Sequence, residues 1–221
     1  MNYRHVFIGA FGLLAATSQA QVWDLKQDFS ITQNPNGAWA YGNYNSSGTF
    51  SANTTSSNFY GVATGWKDSD GNDRPFVGTV DFDGAIPGCS AGQVIAHPDF
   101  AGTTHPYAGT RWTSPITGTI NVTATFFAGD SAAVSEFVSI NDASFIGQDF
   151  DETNDWTITF SQNVVAGDYL DFFVGPNSTG DVNFASTPMD VHITTSSVPE
   201  PTSLAVLGLG GLALVRKRKN H

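Results

Sequence analysis

The stretch "TINVTATF", Thr119 to Phe126, decides the fold. Ile120, Val122, Ala124 and Phe126 fall on one side of an extended chain, and Asn121, Thr123 and Thr125 fall on the other. A period of two residues is the signature of a strand with one apolar and one solvated face. The pattern recurs downstream. In "WTITFS" Trp156, Ile158 and Phe160 alternate with Thr157, Thr159 and Ser161. In "YLDFFVG" Leu170, Phe172 and Val174 alternate with Asp171 and Phe173, and in "MDVHIT" Met189, Val191 and Ile193 alternate with Asp190 and His192. Strands wet on one face belong to antiparallel sheets, and stacking two such sheets buries the apolar faces. Turn-forming stretches punctuate the runs: "SPITG" at 114–118, "AGD" at 128–130 and 166–168, and "GPNSTGD" at 175–181. The expectation is an all-β, jelly-roll-like antiparallel sandwich with sizeable loops, helix being confined to the two termini.

Working outward, "FVGTVDFD" sends Phe76, Val80 and Phe82 one way and Asp81 and Asp83 the other, while "NPNGAWAYGNY" and "GVATGW" scatter aromatics among Gly and Asn. These read as further strands with long connections. The 221 residues allow one substantial domain plus targeting segments. Formal net charge is -11, but the cations crowd the ends. Between Gln21 and Ser197 four cations face nineteen acids, a net of -15. Such a surface repels nucleic acid, which excludes it as a partner, and suits divalent cations or neutral glycans. Cys89 is the only cysteine, so no intramolecular disulfide can form.

Both ends read as addresses. At the N-terminus, Arg4 and His5 precede an apolar run from Val6 to Ala16, and Ser18-Gln19-Ala20 places small residues where a signal peptidase reads them. Cleavage is expected between Ala20 and Gln21, making 1–20 a signal peptide. At the C-terminus, Ser203 to Val215 is apolar, about 20 Å of helix against a hydrocarbon core of about 30 Å. Pro199 and Pro201 disfavour helix before it, and Arg216, Lys217, Arg218 and Lys219 hold the end on the cytoplasmic side. A glycosylphosphatidylinositol signal normally ends apolar, so the basic end argues against one. "GLGGLA", Gly208 to Ala213, fits a dinucleotide fingerprint but lacks the strand-turn-helix unit such a site needs.

The order "VPEP", short Gly/Ala/Leu helix and "RKRK" resembles the PEP-CTERM sorting signal of exopolysaccharide-producing bacteria. The resemblance implies recognition of Pro199, Glu200 and Pro201 by an exosortase, a membrane transpeptidase, followed by cleavage and delivery to the cell surface or extracellular matrix. Residues 198–221 are then a sorting signal with a short transmembrane helix, and 21–197 the delivered domain. A plain C-terminal membrane anchor is the competing reading. The blocks "DFSITQNPNGAWAYG", "AHPDF", "RWTSPITGTI" and "VVAGDYLDFFVGPN" are similar to those of such delivered domains, whose activities the resemblance leaves open.

Within the body, "KDSDGNDRP" brings Asp68, Asp70, Asn72 and Asp73 close around Gly71, oxygen ligands of the kind Ca²⁺ takes. The spacing is not that of an EF-hand, and an ordinary Asp/Gly turn is the alternative. His97, His105 and His192 show no metal-ligand spacing and read as surface or loop residues, and Arg111 reads as a structural ion-pair partner. Nucleophile-elbow and P-loop motifs are absent from the sequence. The expectation is a non-enzymatic domain that binds polysaccharide, with Trp39, Tyr41 and Trp66 as candidate stacking faces. Tyr44, Tyr60, Tyr107 and Trp112 form a wider set, and core packing is the alternative for each. A secreted glycan hydrolase, which needs two carboxylates about 5 to 10 Å apart, is the competing function.

Overall fold

The computed structural model describes residues 20–69, 72–142 and 144–195, without the side chains of 144 and 150–152. Both termini predicted as helical lie outside these residues.

Among the described residues the chain forms β1 (Val22–Asp24), a four-residue helix α1 (Leu25–Asp28), β2 (Trp39–Tyr44), β3 (Phe50–Ala52), β4 (Thr55–Phe59), β5 (Ala63–Lys67) and β6 (Phe76–Val80). It continues through β7 (Val94–His97), β8 (Tyr107–Thr113), β9 (Gly118–Phe126), β10 (Val134–Ile140), β11 (Ser144–Glu152), β12 (Trp156–Val164), β13 (Tyr169–Gly175) and β14 (Thr187–Thr195). All pairings are antiparallel. One sheet runs β12-β9-β14-β7-β6-β5-β4, with β1 added to β14, and the other runs β11-β10-β13-β8-β2-β3. From β7 onward the pairs nest, β7 with β14, β8 with β13, β9 with β12 and β10 with β11.

The core lies between the sheets. Ile120, Val122, Ala124 and Phe126 of β9 are buried there with Val191 and Ile193 of β14 and Leu170, Phe172 and Val174 of β13. Each such side chain contributes about 1.5–3 kcal/mol by leaving water. The opposite face of β9 meets β12 in a polar ladder, with Thr125 to Thr157 at 3.0 Å, Asn121 to Ser161 at 2.7 Å and Thr119 to Asn163 at 2.7 Å. The alternation in "TINVTATF" is thus the two faces of a strand in the middle of a sheet. Trp156, Ile158 and Phe160 are only partly buried, because β12 is an edge strand.

Each sheet also carries cover on its outer face. The outer face of β13 was expected to be solvated, yet Asp171 and Phe173 are buried. Phe173 stacks on Tyr44 at 4.5 Å and on Phe137 at 5.0 Å, and Tyr107 meets it edge-on at 5.8 Å. This aromatic layer shields the polar pair beneath it. Arg111 grips Asp171 side-on, Nε to Oδ1 at 2.7 Å and Nη2 to Oδ2 at 2.9 Å, and its Nη2 also reaches Asp142 Oδ1 at 2.6 Å. Asp142 comes from the β10–β11 turn, where Asn141 and Asp142 both take positive φ, a region that Asn and Asp enter more readily than other side chains. On the other sheet the segment between β6 and β7 folds back over the outer face. Ile86 and Cys89 pack there on Phe59, Phe76, Val80 and Ile95, and burial raises the Cys89 thiol to about 12.

Candidate functional site

The margin of that second small core opens into a cavity of about 390 Å³. Its walls come from four places: the β4–β5 turn (Phe59, Tyr60, Val62), the β6–β7 segment (Ala85 to Pro87), the β9–β10 loop (Asp130) and the residues before β14 (Asn183, Phe184, Ser186). Arg74, just before β6, and His97, at the end of β7, complete it. The loops are locked by backbone pairing. Asp130 N–H donates to the Ser186 carbonyl at 3.0 Å and Ala132 N–H to that of Phe184 at 3.0 Å. Gly129 lies so close to Ser186, and Gly88 to Gly129, that a methyl at either glycine would strike backbone oxygen.

Two aromatics dominate the rim. Tyr60 is 64% and Phe184 65% exposed, although both line the cavity. Both take left-handed backbone, φ 50° and 63°, which costs a bulky residue of order 1–3 kcal/mol. Tyr60 and Gly61 are the central pair of a turn closed by Val62 N–H to the Phe59 carbonyl at 3.0 Å, and both have positive φ. That turn favours Asn-Gly. A tyrosine held there sets an apolar face toward solvent at the expense of local stability, the pattern of a strained functional position.

Polar groups of different character line the same cavity. Arg74 offers a planar fork of donors and rests over Phe100 at 4.6 Å. Burial raises the proton affinity of the Asp130 carboxylate, which accepts from Ser131 N–H at 2.9 Å. Asn183 is oriented by donating from Nδ2 to Asp181 Oδ1 at 2.8 Å. His97 is buried, which corrects its reading as a surface residue. Its ring lies 4.9 Å from that of Phe59, and its Nδ1 donates to the Pro98 carbonyl at 2.8 Å. Burial, reinforced by the charge of Arg74, pushes its pKa down to about 4, so it is neutral at pH 7. The cavity combines apolar ring faces with donors and acceptors of differing charge.

The residues expected from sequence lie elsewhere. Trp39 is 1% exposed, Tyr41 is fully buried and Trp66 is buried, so none presents a face for stacking. Their polar ends are satisfied inside: Trp39 Nε1 donates to Asp28 Oδ2 at 3.2 Å, Tyr41 Oη to the Asp28 carbonyl at 3.1 Å and Trp66 Nε1 to the Ser30 carbonyl at 2.7 Å. They are core residues. Tyr44 and Trp112 are buried as well, and of the wider set Tyr60 alone lines the cavity.

Of the candidate calcium ligands, Asp68 lies 2.9 Å from His105 Nδ1 and Asp73 3.0 Å from Lys67 Nζ. Each of these carboxylates turns to its own cationic or basic partner, while Asp70 is outside the described residues. Elsewhere, Asp24, Asp190 and His192 bring ligand atoms within 4.8 Å of one another. His192 Nδ1 is 3.3 Å from Asp24 Oδ2 and its Nε2 is 3.1 Å from Asp190 Oδ2, a clasp that ties β1 to β14. Ala20 and Gln21 are exposed. Gln21 lies beside Thr195, whose N–H donates to the Gln21 carbonyl at 2.9 Å.

Fold and cavity define an all-β antiparallel sandwich carrying a ligand-sized pocket on one sheet. Its destination is given by the tail: residues 197–219 match the family model of the PEP-CTERM protein-sorting motif. PEP-CTERM motifs are exosortase substrates, so the chain is exported and passes through a membrane-associated sorting step. The match takes in Pro199, Glu200, Pro201 and Arg216 to Lys219, which lie outside the described residues. Among the described residues no helix is long and apolar enough to cross a membrane, and the predicted transmembrane helix lies beyond them. No curated protein matches the chain. Similar solved structures include the secreted serine protease VesC from Vibrio cholerae, at 15% identity and TM-score 0.29, covering 57% of this chain and 24% of the protease. A family 35 carbohydrate binding module from an environmental isolate matches at 24% identity and TM-score 0.25, covering 53% of this chain and 98% of the module. The chain therefore spans about a quarter of the protease's length. At these TM-scores neither bears on function.

Proposed function

We propose that the delivered domain is a non-enzymatic surface or matrix protein that binds polysaccharide at the cavity between Tyr60 and Phe184. One observation carries this reading: two exposed aromatics, both in costly left-handed backbone, flank one pocket that also holds Arg74, Asp130 and Asn183. Ring faces take the apolar faces of pyranose rings, and the polar groups take hydroxyls. The nested pairing of β7 to β14 supports classing the sandwich as jelly-roll-like. Export by signal peptidase cleavage between Ala20 and Gln21, and removal of the tail near Pro199 to Pro201, complete the proposal. The intact mass of the mature protein from its own cells tests that part, and a mass retaining Arg216 to His221 would replace it with a simple anchor.

Binding is tested by retention of the mature protein on a panel of insoluble polysaccharides, the exopolysaccharide of the producing cells included. Tyr60→Asn keeps a residue the turn accepts, and Phe184→Gly relieves its backbone. Each removes a ring whose burial contributes about 1.5–3 kcal/mol, so retention is expected to fall about tenfold or more. Thermal stability is expected to hold or to rise by about 0.5–1 kcal/mol. Wild-type protein that is not retained by any of them, or variants retained as well as wild type, would overturn the proposal.

A further inference from the structure

The proposed binding cavity and the exit toward the sorting signal lie at opposite ends of one strand. Ser186 lines the cavity and immediately precedes β14, with Phe184 and Asn183 just before it. Across the sheet, Ala96 pairs with Thr187 at this end, which places the lining residue His97 beside it. At the other end is Thr195, two residues before the matched sorting motif begins. Nine residues of extended strand separate these ends by about 26 Å. The N-terminal exit lies with the C-terminal one: Thr195 N–H donates to the Gln21 carbonyl at 2.9 Å, and Gln21 N–H donates to Thr195 Oγ1 at 2.9 Å. Val22 pairs with Thr194, so the exits are neighbours in a ladder and not merely on one side.

We propose that the domain, held through its C-terminal exit, stands with Gln21 and Val22 against the surface that holds it and displays the Tyr60–Phe184 cavity away from it. Pro199 follows Thr195 by four residues in sequence, so the end that is held is the Thr195 end of β14. The ligand is then polysaccharide outside that surface, not the lipid or wall to which the chain is delivered. This clause rests on the binding reading above; the orientation itself does not.

Labelling with a thiol-reactive reagent tests the orientation without any ligand. Val22 and Phe184 are similarly exposed in the folded domain, 57% and 65%, and the native Cys89 is buried with its thiol raised to about 12, which keeps background low. Full-length chains carrying Val22→Cys or Phe184→Cys are produced in the native cells and exposed, intact, to a bulky PEG-maleimide. The thiol at position 184 is expected to label several-fold faster than that at 22, and detergent-released proteins are expected to label alike. Equal rates on intact cells, or faster labelling at 22, would overturn the orientation. Wild-type protein that is not retained on glycan, with the labelling difference intact, would instead overturn the binding reading alone.

Discussion

Replacing Asp171 with alanine is expected to destabilise the domain by about 3–5 kcal/mol, read from the denaturant midpoint at unchanged slope. The carboxylate is fully buried and receives two hydrogen bonds from Arg111, while the Tyr44 hydroxyl lies 3.2 Å from its Oδ1. Removing it leaves a guanidinium inside the sandwich wall with Asp142 as its remaining acidic contact. Desolvation without compensation is the source of the cost, so the loss should not be additive. Replacing the pair together, Asp171→Leu with Arg111→Met, is expected to recover most of the stability, because an apolar pair of similar volume removes both charges. A double variant as unstable as the single one would mean that the aromatic layer requires the ion pair itself.

Acid is expected to weaken the fold through His97. Its pKa falls from 6.5 to about 4 on folding, so between those values the unfolded chain binds the extra proton. Above pH 6.5 the imidazole is neutral in both states and costs nothing. As pH falls through 6.5 toward 4 stability is lost, approaching roughly 3 kcal/mol at about 1.4 kcal/mol for each tenfold change in proton affinity. Burial raises the pKa of Asp130 and Asp171, so these groups act in the opposite sense in acid, favouring the folded state as they protonate. The signature is therefore the difference between wild type and His97→Phe, which keeps a ring against Phe59. Wild-type stability minus that of the variant should fall steadily from pH 7 to pH 4.5, and a constant difference would refute the assignment.

Strand position was legible where one face of a strand meets water. In β9 a core face and a hydroxyl ladder share one strand, and alternating sequence records both. It was less legible in β13, because Phe173 and Asp171 occupy a face that a polar-apolar count reads as wet. Their cover comes from Tyr44, Tyr107 and Phe137 on three other strands, and pairing between distant segments leaves no local trace. The same limit governs the aromatics. Trp39 and Tyr60 are equally plausible stacking faces as letters, but Trp39 lies on the inward side of β2 against Phe172, whereas Tyr60 sits in a turn. A signal for Tyr60 did exist, an aromatic before glycine where a tight turn favours asparagine. Phe184 carried no such signal, since its neighbours Asn183 and Ala185 fit any loop.

By itself the sequence determined the all-β class and the route of export, because period-two alternation and a terminal sorting motif are local patterns along the chain. Only the tertiary structure decided which aromatics face water, that His97 is buried, and that the pocket and the exits occupy opposite ends of β14. Those facts depend on which segments of an antiparallel sandwich pack together, and packing is a property of contacts between residues far apart in sequence.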